Sequence, residues 1–485
     1  MISLARLLQG LPGAQLRVAG PDVEITSLSA DSRTTQPGAL FVALGGEHAD
    51  GHRFAADAIA AGARAIVIEH EVQADLRGIT VVRVPDTRLA LSWLAARFSG
   101  DPSQSLSIAG ITGTNGKTTT AHLTRAILDG CGMPCGAIGT LGASFGEWSR
   151  ELGNTTPLPI ELHETLATMK ELGAQAVAME VSSHALALHR VDDIRFRVGA
   201  FTNLTRDHLD FHLTVEAYAG AKFRLFELAQ HAVINVDDPH GAEWAAELED
   251  EGKPLTTYAL DTHDADLHAH DLELRPEGSS FEAGGVHVDL PLPGRFNVHN
   301  ALCALGIAHA LGCDLALAAS ALAAVPPVPG RMERFTQDGL VAIVDYAHTP
   351  DALSNVLRAA RETLGGGKLF VVFGCGGDRD KGKRPEMGAV ARALADVAIV
   401  TSDNPRSEDP QAIADAVVAG APDAEVILDR RAAIREAIRR AQGGDVVVVA
   451  GKGHETYQIS NGKRAHFDDR DEVCIALAHR QPVAL

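Results

Sequence analysis

The chain has 485 residues, of which 46% are hydrophobic and 22% are charged, and this composition is typical of a globular protein of about three domains. Its 43 basic and 63 acidic residues give a formal net charge of −20. This charge argues against a surface for nucleic acid or for an anionic membrane, because both need a basic footprint. A phosphorylated ligand must therefore be met by local basic residues.

Signals for export or membrane insertion are weak in this sequence. The apolar start at residues 1–8 is interrupted by Arg6, and Pro12 and Gly13 follow soon after, so we do not expect a signal peptide. No apolar run reaches the roughly 18 residues of a membrane span. The six cysteines are sparse and suggest free thiols. We therefore expect a cytoplasmic protein.

The first hundred residues predict a small α/β module. Apolar runs indicate strands at 23–28, 40–44, 65–69 and 80–84 and helices at 55–61 and 89–98. The polar segment 99–103 is typical of a linker. Ser29 follows the first strand, where ligands often bind in α/β folds, although a solvated turn is the slightly better explanation of that position.

The segment after this module carries the strongest chemical signal. Residues 105–111 predict a buried strand and residues 117–129 a helix, with a glycine-rich turn between them. Glycines let backbone N–H groups face an anion, Lys117 can reach terminal phosphates, and the Thr118 hydroxyl can hold Mg²⁺. Ile111 stands where the general Walker pattern has its first glycine. Gly-Lys-Thr at a helix start after an apolar strand nevertheless predicts nucleotide binding.

The middle of the chain adds candidate metal ligands. A predicted strand at 175–179 leads to Glu180, and an acid in this position near a phosphate loop commonly supports Mg²⁺. Lys222 lies on a predicted helix, and its spacing alone indicates a solvent-facing lysine. Strands and helices alternate as far as a proline-rich linker at 326–330, which predicts a mostly parallel sheet with helices on both faces. A metal or proton-transfer role is favoured by a cluster of acids and imidazoles: Asp207, His208, Asp210 and His212.

The last 150 residues predict doubly wound α/β architecture. Each predicted strand is followed by a polar loop, and such loops collect at one ligand-binding edge. Arg379 and Arg406 are suited to bidentate binding of a carboxylate, and Glu455 could receive an ammonium group. The glycine-rich loop at 374–377 lacks the G-x-G-x-x-G spacing, so we do not predict an NAD site. The four predicted strands cover residues 340–344, 368–373, 397–401 and 445–450.

Seven short motifs occur in order over nearly the whole length, beginning with Gly-Thr-Asn-Gly-Lys-Thr: residues 113–118, 180–184, 202–208, 235–238, 294–300, 330–333 and 345–348. This ordered set resembles that of the Mur ligases, ATP-dependent amide-forming enzymes of peptidoglycan precursor synthesis. Two C-terminal motifs, at 403–406 and 451–455, resemble those of the members that add meso-diaminopimelate to UDP-N-acetylmuramoyl-L-alanyl-D-glutamate. In the lysine-adding members the first of these two motifs differs.

The resemblance implies an α/β fold of three domains. Residues 1–102 would bind the UDP-sugar, residues 103–328 would form the central phosphate-loop ATPase domain with a mostly parallel sheet, and residues 329–485 would form a Rossmann-like, doubly wound amino-acid domain. The substrates would be ATP, the UDP-muramoyl dipeptide and diaminopimelate, with Mg²⁺ as cofactor. The protein would be a monomer without nucleic-acid or membrane partners. The dipeptide carboxylate would become an acyl phosphate before the amine attacks it.

The resemblance also implies roles for single residues. Lys222 matches the lysine that is carbamylated in the family; with His208 it would hold one Mg²⁺, while Thr118 and Glu180 would hold another. The catalytic candidates are Lys117, Glu180, His208 and Lys222. Leu188 departs from the family, which often has an amide there. The ATP candidates are Gly113, Thr114, Asn115, Gly116, Lys117, Thr118, Asn297, Asn300, Arg331, Asp345 and His348. The UDP-muramoyl dipeptide candidates are Ser29, Thr155, Thr156, Ser182, Arg190 and Lys222. The diaminopimelate candidates are Arg379, Asp403, Asn404, Pro405, Arg406, Gly451 and Glu455.

Three other functions stay open from the sequence alone. A lysine-adding ligase of the same family is disfavoured by residues 403–406. A folylpolyglutamate synthase shares the ATPase design, but the distinct N-terminal module argues against it. A binding or scaffold protein that keeps only a nucleotide pocket is disfavoured by the complete set of candidate metal and phosphate groups.

Overall fold

The computed structural model describes residues 1–18, 22–46 and 49–480. The chain forms two compact units, and neither is a continuous stretch of sequence. The first comprises Met1–Thr112, Met133–Gly199 and Ala221–His231, and the second comprises Gly113–Gly132, Ala200–Gly220 and Ala232–Leu485. Within the described residues, no helix combines the length and apolar character that a membrane span requires.

The beginning of the chain folds into the predicted α/β module, within the first unit. Its sheet has the order β2-β7-β6-β5-β4, with β4 to β7 parallel, and the central strands β5 and β6 are buried throughout because helices cover both faces. The single strand predicted at 23–28 is two short strands, interrupted at Thr26. The elements are β1 (Ile2–Ser3), α1 (Leu4–Leu8), β2 (Gln15–Val18), β3 (Glu24–Ile25), β4 (Ser27–Ser29), β5 (Ala39–Val42), α2 (Ala55–Ala60), β6 (Ala65–Ile68), β7 (Thr80–Arg83) and α3 (Thr87–Phe98).

The central part of the chain contains a nine-stranded sheet of order β11-β10-β9-β12-β8-β13-β14-β15-β16. Strands β9, β12 and β8 pair in parallel, as predicted, and so do β14, β15 and β16. The antiparallel strands β10 and β11 occupy one edge of the sheet. Its elements are β8 (Ser107–Thr112), α4 (Lys117–Gly130), β9 (Cys135–Gly139), β10 (Gly142–Phe145), β11 (Trp148–Arg150), α5 (Pro159–Glu171), β12 (Ala176–Glu180), α6 (Ser183–Ala187), β13 (Phe196–Phe201), α7 (Leu209–His212), α8 (Val215–Leu228), β14 (Ala229–Asn235), α9 (Pro239–Asp250), β15 (Leu255–Ala259) and β16 (Leu267–His268).

A second, antiparallel sheet follows, which we did not predict from the sequence. It consists of β17 (His270–Arg275), β18 (Gly278–Ala283) and β19 (Val286–Leu290), and it precedes the helices α10 (Arg295–Ala310) and α11 (Leu315–Ala323). The signal was present in the sequence. Gly284 and Gly285 separate two short alternating runs, as in a tight hairpin, and both adopt positive φ angles.

Helix α5 buries a histidine that should make stability depend on pH. His163 is fully buried, and neither ring nitrogen has a hydrogen-bond partner among the described residues. Burial lowers the pKa of His163 to about 4, whereas an unfolded histidine titrates near pH 6.5. Between these values the unfolded chain binds the extra proton, so the free energy of unfolding falls as the pH falls.

Between pH 6.5 and pH 4, protonation of His163 should lower the free energy of unfolding by up to about 3 kcal/mol. We therefore expect His163→Leu to lack this part of the pH dependence. The measurement is the free energy of urea unfolding of both proteins at several pH values. The difference between the two curves should grow towards low pH. Parallel curves would contradict the assignment of a neutral, buried His163.

The C-terminal region, within the second unit, is doubly wound as predicted. Its sheet has the order β20-β21-β25-β22-β23-β24, parallel except for β20. Alternate residues of β25 belong to two different cores: Val446, Val448 and Ala450 to one, and Val447 and Val449 to the other. The elements are β20 (Glu333–Gln337), β21 (Leu340–Asp345), α12 (Pro350–Glu362), β22 (Leu369–Phe373), α13 (Lys383–Leu394), β23 (Val397–Val400), α14 (Pro410–Val418), β24 (Glu425–Val426), α15 (Arg430–Arg440), β25 (Val446–Ala450), β26 (Tyr457–Ser460), β27 (Lys463–His466) and α16 (Asp469–Ala478).

Candidate active site

The glycines of the turn before α4 are required by close packing. A Cβ at Gly113 would collide with the Thr202 hydroxyl, and a Cβ at Gly116 would collide with the Asn300 side-chain oxygen. Both glycines also have positive φ angles, 146° and 87°. Gly116 is the N-cap residue of α4 and offers no side chain to the first amides of that helix. These amides can therefore bind an anion, as the sequence predicts.

A neighbouring polar segment holds this turn in place. The Thr202 hydroxyl donates to the Asn115 carbonyl at 2.6 Å, and the Asn115 N–H donates to the Asn203 side chain at 2.9 Å. The Thr114 N–H donates to the Asn203 carbonyl at 2.8 Å. The Asn115 side chain reaches further, to the Asp351 carboxylate at 2.8 Å. The motif at 202–208 thus supports the phosphate loop, a role that its sequence did not indicate.

Three of the candidate ATP residues meet at the start of α4. The Lys117 ammonium donates to the carbonyls of Gly113 and Thr114, at 2.8 Å each, and so lies over the loop. The Thr118 hydroxyl accepts a hydrogen bond from Arg331 at 3.0 Å. The Arg331 guanidinium is fixed in turn by stacking over the Tyr346 ring, 4.4 Å from its centre. Two cations therefore flank the helix N-terminus.

Helix α10 brings two predicted asparagines to the same place. Asn300 donates to the Asn297 side chain at 3.2 Å, and Asn297 donates to the Pro293 carbonyl at 2.8 Å. The Thr120 hydroxyl on α4 donates to Asn300 at 3.4 Å. These bonds fix the orientation of both amides and join the N-terminal turns of α4 and α10.

Asp345 and His348 follow strand β21 and are both buried. The Asp345 carboxylate accepts the N–H groups of Met332 and Ala347 at 2.8 and 2.7 Å, and burial raises its pKa although Arg331 opposes the change. His348 Nδ1 donates to the Tyr346 carbonyl at 2.9 Å, which fixes the tautomer. Burial lowers the pKa of His348 to about 4, so its ring is neutral near pH 7.

His208, a predicted metal ligand, lies in a strained and charged environment. Its backbone is left-handed, with φ 54°, and its Nε2 atom lies 3.4 Å from the Asp207 carboxylate. Burial alone would raise the pKa of Asp207, but the nearby His208 and Lys383 lower it overall. The Lys383 ammonium, on α13, lies 3.7 Å from Asp207. Asp210 and His212 lie on the short helix α7, which follows His208 directly.

Within the first unit, Glu180 ends β12 as predicted. It is 2% exposed, and its carboxylate accepts the Thr140 N–H at 2.7 Å and the Thr140 hydroxyl at 3.1 Å. A Cβ at Gly139 would collide with this carboxylate, so the glycine makes room for it. Thr155 approaches the same threonine, with its hydroxyl 3.2 Å from that of Thr140. The structure thus brings Glu180 and Thr155 together at the carboxyl end of β12.

Other predicted dipeptide residues cluster next to Glu180. The Thr156 hydroxyl donates to the Glu180 carbonyl at 2.9 Å and contacts the Ser182 hydroxyl at 3.3 Å. Arg190 donates to the Thr156 carbonyl at 3.0 Å, and burial lowers the pKa of its guanidinium. Ser29, on β4, donates to the Asp31 carbonyl at 2.8 Å, so it takes part in a local turn, but it is buried and the turn is not the solvated one that the sequence favoured.

The structure corrects the interpretation of Lys222 from spacing alone. Its helix α8 would allow a solvent-facing side chain, but Lys222 is 1% exposed. An ammonium group in such a position loses most of its hydration, at a cost of several kcal/mol unless other groups compensate. The burial of Lys222 agrees with the functional role that the resemblance implies and not with the solvent-facing position that the spacing indicated. Spacing alone cannot show which face of a helix is covered.

The glycine-rich loop after β22 serves close packing. A Cβ at Gly374 would collide with the Thr401 carbonyl, and a Cβ at Gly377 would collide with the Pro405 carbonyl. The loops after β22 and β23 therefore touch backbone to backbone, which explains the glycines without a dinucleotide. Gly451, after β25, has φ 119° and donates its N–H to the Asp345 carbonyl at 3.0 Å.

A cluster of charged groups lies where β23 and β25 end. The Glu455 carboxylate accepts Asn404 Nδ2 at 2.9 Å and the Lys452 ammonium at 3.0 Å. Glu455 was predicted to receive an ammonium group from a ligand, and in the structure the ammonium of Lys452 contacts it. Asp403 is buried, and its Oδ1 atom has no hydrogen-bond partner within the described part of the chain.

The two predicted arginines differ in how firmly they are held. Arg406 has φ 52°, and its guanidinium donates to the Gly377 carbonyl at 2.7 Å. Its backbone is fixed by β26, because the Arg406 N–H donates to the Ile459 carbonyl at 3.0 Å. Arg379 is exposed and donates to the Asp378 carbonyl at 2.8 Å. Arg406 is therefore the better positioned of the two for a ligand carboxylate.

Several contributing residues were not predicted. Asn203, Asp351 and Lys383 contact the phosphate loop or the segment that braces it, and Lys452 contacts the candidate amino-acid residues. Lys452 had a usable signal, since it lies inside the Gly-Lys-Gly-His-Glu motif from which only Gly451 and Glu455 were selected. Asn203 likewise lies inside the motif at 202–208, whereas Asp351 and Lys383 depend on contacts between distant segments and have no local signature.

The fold and these residues define an α/β protein of the phosphate-loop nucleotide-binding class with a doubly wound C-terminal sheet. Three family models match it: "Mur ligase family, catalytic domain" at residues 24–99, "Mur ligase middle domain" at 111–308 and "Mur ligase, glutamate ligase domain" at 330–453. The chain belongs to the Mur ligase family, as the motifs indicated.

Individual relatives agree with this assignment. A protein of Gloeobacter violaceus, named UDP-N-acetylmuramoyl-L-alanyl-D-glutamate–2,6-diaminopimelate ligase, is 45% identical over 473 residues, 95% of each chain. A solved structure with that name is 35% identical, with a TM-score of 0.70, and covers 98% of this chain and 99% of its own. The folylpolyglutamate synthase of Mycobacterium tuberculosis covers 81% of this chain and 96% of its own, with a TM-score of 0.62 and 19% identity, and shares the fold alone.

Proposed function

We propose that this chain joins meso-diaminopimelate to the D-glutamate γ-carboxylate of UDP-N-acetylmuramoyl-L-alanyl-D-glutamate, with ATP as co-substrate. Relatives that carry this name at 45% identity over nearly the full length support the proposal. The observation that carries it is the charged cluster at the ends of β23 and β25. Acidic Asp403 and Glu455 lie there with basic Arg406, the complement of an amino-acid centre that carries both an ammonium and a carboxylate group.

Each of the candidate ATP-binding residues has a distinct task. The N–H groups of residues 113–118 cradle the phosphates, and Lys117 moves from the loop carbonyls to the terminal phosphate. Arg331, stacked on Tyr346, offsets further negative charge. Asn297, Asn300, Asp345 and neutral His348 orient the remainder of the nucleotide. Because phosphoryl transfer needs little covalent help from the protein, positioning and charge neutralisation carry most of the rate.

The candidate metal ligands suit Mg²⁺, which prefers hard oxygen donors. Glu180 and Thr118 offer oxygen atoms, His208 offers a nitrogen, and a carbamate on Lys222 would add two more oxygens in place of a buried ammonium. When bound, Mg²⁺ neutralises charge on the transferring phosphoryl group. Glu180 is held for such a task by its two hydrogen bonds from Thr140.

The reaction has two chemical steps. The γ-carboxylate of the dipeptide attacks the γ-phosphorus of ATP, which gives an acyl phosphate and ADP. The unprotonated amine of diaminopimelate then attacks the acyl carbon, and phosphate leaves. We assign the dipeptide to Ser29, Thr155, Thr156, Ser182, Arg190 and Lys222, and the amino acid to Arg379, residues 403–406, Gly451 and Glu455.

The proposed regions follow the sequence: residues 1–102 for the UDP-sugar, 103–328 for ATP and 329–485 for the amino acid. We further propose that the protein works as a cytoplasmic monomer. Gel filtration with light scattering tests the oligomeric state, and fractionation of cells tests the location.

Phosphate release from Mg²⁺-ATP tests the function directly. The enzyme is given the UDP-muramoyl dipeptide together with meso-diaminopimelate, L-lysine or no amino acid. Release is expected to be much faster with diaminopimelate than with lysine. Faster release with lysine would reassign the chain to the lysine-adding ligases, and no release with either amino acid would overturn the proposal.

Arg406 should select diaminopimelate over lysine, because the two differ by one side-chain carboxylate. Arg406→Ala leaves that carboxylate unpaired. We therefore expect kcat/KM for diaminopimelate to fall, with a rise of roughly 2–4 kcal/mol in the activation free energy. Arg392→Ala, at an exposed position of α13 outside the candidate ligands, is the matched control and should leave kcat/KM nearly unchanged. Equal losses in both variants would contradict the assignment to Arg406.

A further inference from the structure

Lys452 is a buried ammonium group inside the candidate amino-acid site. Its side chain is 0% exposed, and its Nζ atom lies 3.0 Å from Glu455 Oε2, 3.3 Å from Asn404 Oδ1 and 3.6 Å from Asp403 Oδ1. Its three neighbours are thus all candidate ligands of the amino acid. Lys452 itself has no exposed surface with which to meet a substrate, so it acts through these neighbours.

The contacts of Lys452 order the site. Asn404 joins Lys452 to Glu455, since its oxygen accepts from the ammonium and its Nδ2 donates to the Glu455 carboxylate at 2.9 Å. The Asn404 oxygen also accepts the Ile459 N–H at 2.9 Å, and Gln458 donates to the Asp403 carbonyl at 2.7 Å. The hairpin strand β26 and Lys452 therefore fix Asp403, Asn404 and Glu455 from two sides.

The charges of the cluster nearly cancel before any ligand arrives. Asp403 and Glu455 contribute two negative charges, and Lys452 and Arg406 contribute two positive charges. Arg430 also approaches the cluster, but it forms a closed pair with Asp469 and adds no net charge. A zwitterionic amino-acid centre, which is neutral, matches this balance. The distal end of lysine, a bare ammonium, does not.

We propose that Lys452 is a positioning residue that sets the charge of the amino-acid site. Its ammonium holds Glu455 and Asn404 and offsets one of the two carboxylates, so that the site accepts one ammonium group together with one carboxylate. This inference rests on the proposed function and assigns a cause of substrate selection to a residue that cannot touch the substrate from its buried position.

Removal of the Lys452 charge should therefore change selectivity as well as activity. Without it the cluster carries a net negative charge, which favours the cationic end of lysine over the zwitterionic end of diaminopimelate. A unit charge a few ångströms away still acts strongly on a charged ligand group at the effective dielectric constant of a protein surface. A change of about tenfold in relative preference is expected from such a change.

The experiment compares Lys452→Met, which keeps the length of the side chain but not the charge, with the unaltered enzyme. The ratio of kcat/KM for diaminopimelate to that for L-lysine should fall about tenfold. KM for ATP should stay within about twofold, because the nucleotide groups are untouched. Lys463→Met, on the exposed strand β27, is the control and should leave the ratio unchanged.

An unchanged ratio in Lys452→Met would overturn the proposal, even if total activity fell, because a purely structural loss lowers both values equally. If that variant does not fold, Lys452→Gln keeps a donor without the charge and gives the same comparison. Failure of the proposed function looks different: the unaltered enzyme would then release no phosphate with diaminopimelate.

Discussion

Lys222→Ala should lower diaminopimelate-dependent phosphate release by roughly 10²–10³-fold, the usual cost of removing one group that stabilises developing charge. The reason is the position of Lys222, which lies on α8 with 1% of its surface exposed. An ammonium so deeply buried loses most of its hydration, and the proposed reaction with CO₂ would convert the side chain into an anion with two oxygen donors. Alanine supplies neither charge nor donor at this place.

Carbon dioxide distinguishes a carbamate from a simple lysine. Enzyme kept in CO₂-free buffer should lose activity and regain it when bicarbonate is added, whereas Lys222→Ala should respond to neither treatment. Glu227→Gln, on the same helix with a largely exposed side chain, is the matched control and should behave like the unaltered enzyme. Full activity of Lys222→Ala would contradict the carbamate proposal.

The phosphate loop could be predicted because its signal is local. The strand at 107–112 and the helix from Lys117 to Gly130 agree with the prediction within two residues at each end. An apolar run, two glycines and Gly-Lys-Thr specify both the elements and their chemistry within about a dozen residues. The alternation of strands and helices likewise predicted the doubly wound C-terminal sheet.

The supporting contacts of the site could not be predicted in this way. Asn115 meets Asp351, which is 236 residues away in sequence, and Arg331 meets Thr118 across 213 residues. The burial of Lys222 depends on which face of α8 is covered, and spacing does not reveal this. Sequence motifs thus supplied the groups that we propose meet the ligands, whereas the structure identified Lys452, Asp351 and the role of Asn203 as supports that hold those groups in place.

Arg430 illustrates such a hidden support, and its removal should have the largest effect on stability. Its guanidinium makes two 2.7 Å hydrogen bonds to Asp469, and both side chains are 0% exposed. It also donates to the Ala450 carbonyl at 2.9 Å, directly before Gly451 and Lys452. Arg430→Met leaves the Asp469 carboxylate buried without its cation, and we expect a loss of about 3–5 kcal/mol in the free energy of unfolding.

The measurement is urea unfolding combined with hydrogen exchange of the β25 amides, which reports on the C-terminal sheet itself. Arg77→Met removes an exposed arginine from a similar pair with Asp75 and should leave the free energy of unfolding nearly unchanged. Arg430→Met/Asp469→Leu removes both charges and should recover most of the loss, because an apolar pair has no desolvation penalty. If the double variant is no more stable than Arg430→Met, the loss comes from the Ala450 contact and not from the unpaired carboxylate of Asp469. The two variants thus separate the cost of an unpaired charge from the support that Arg430 gives to the amino-acid site.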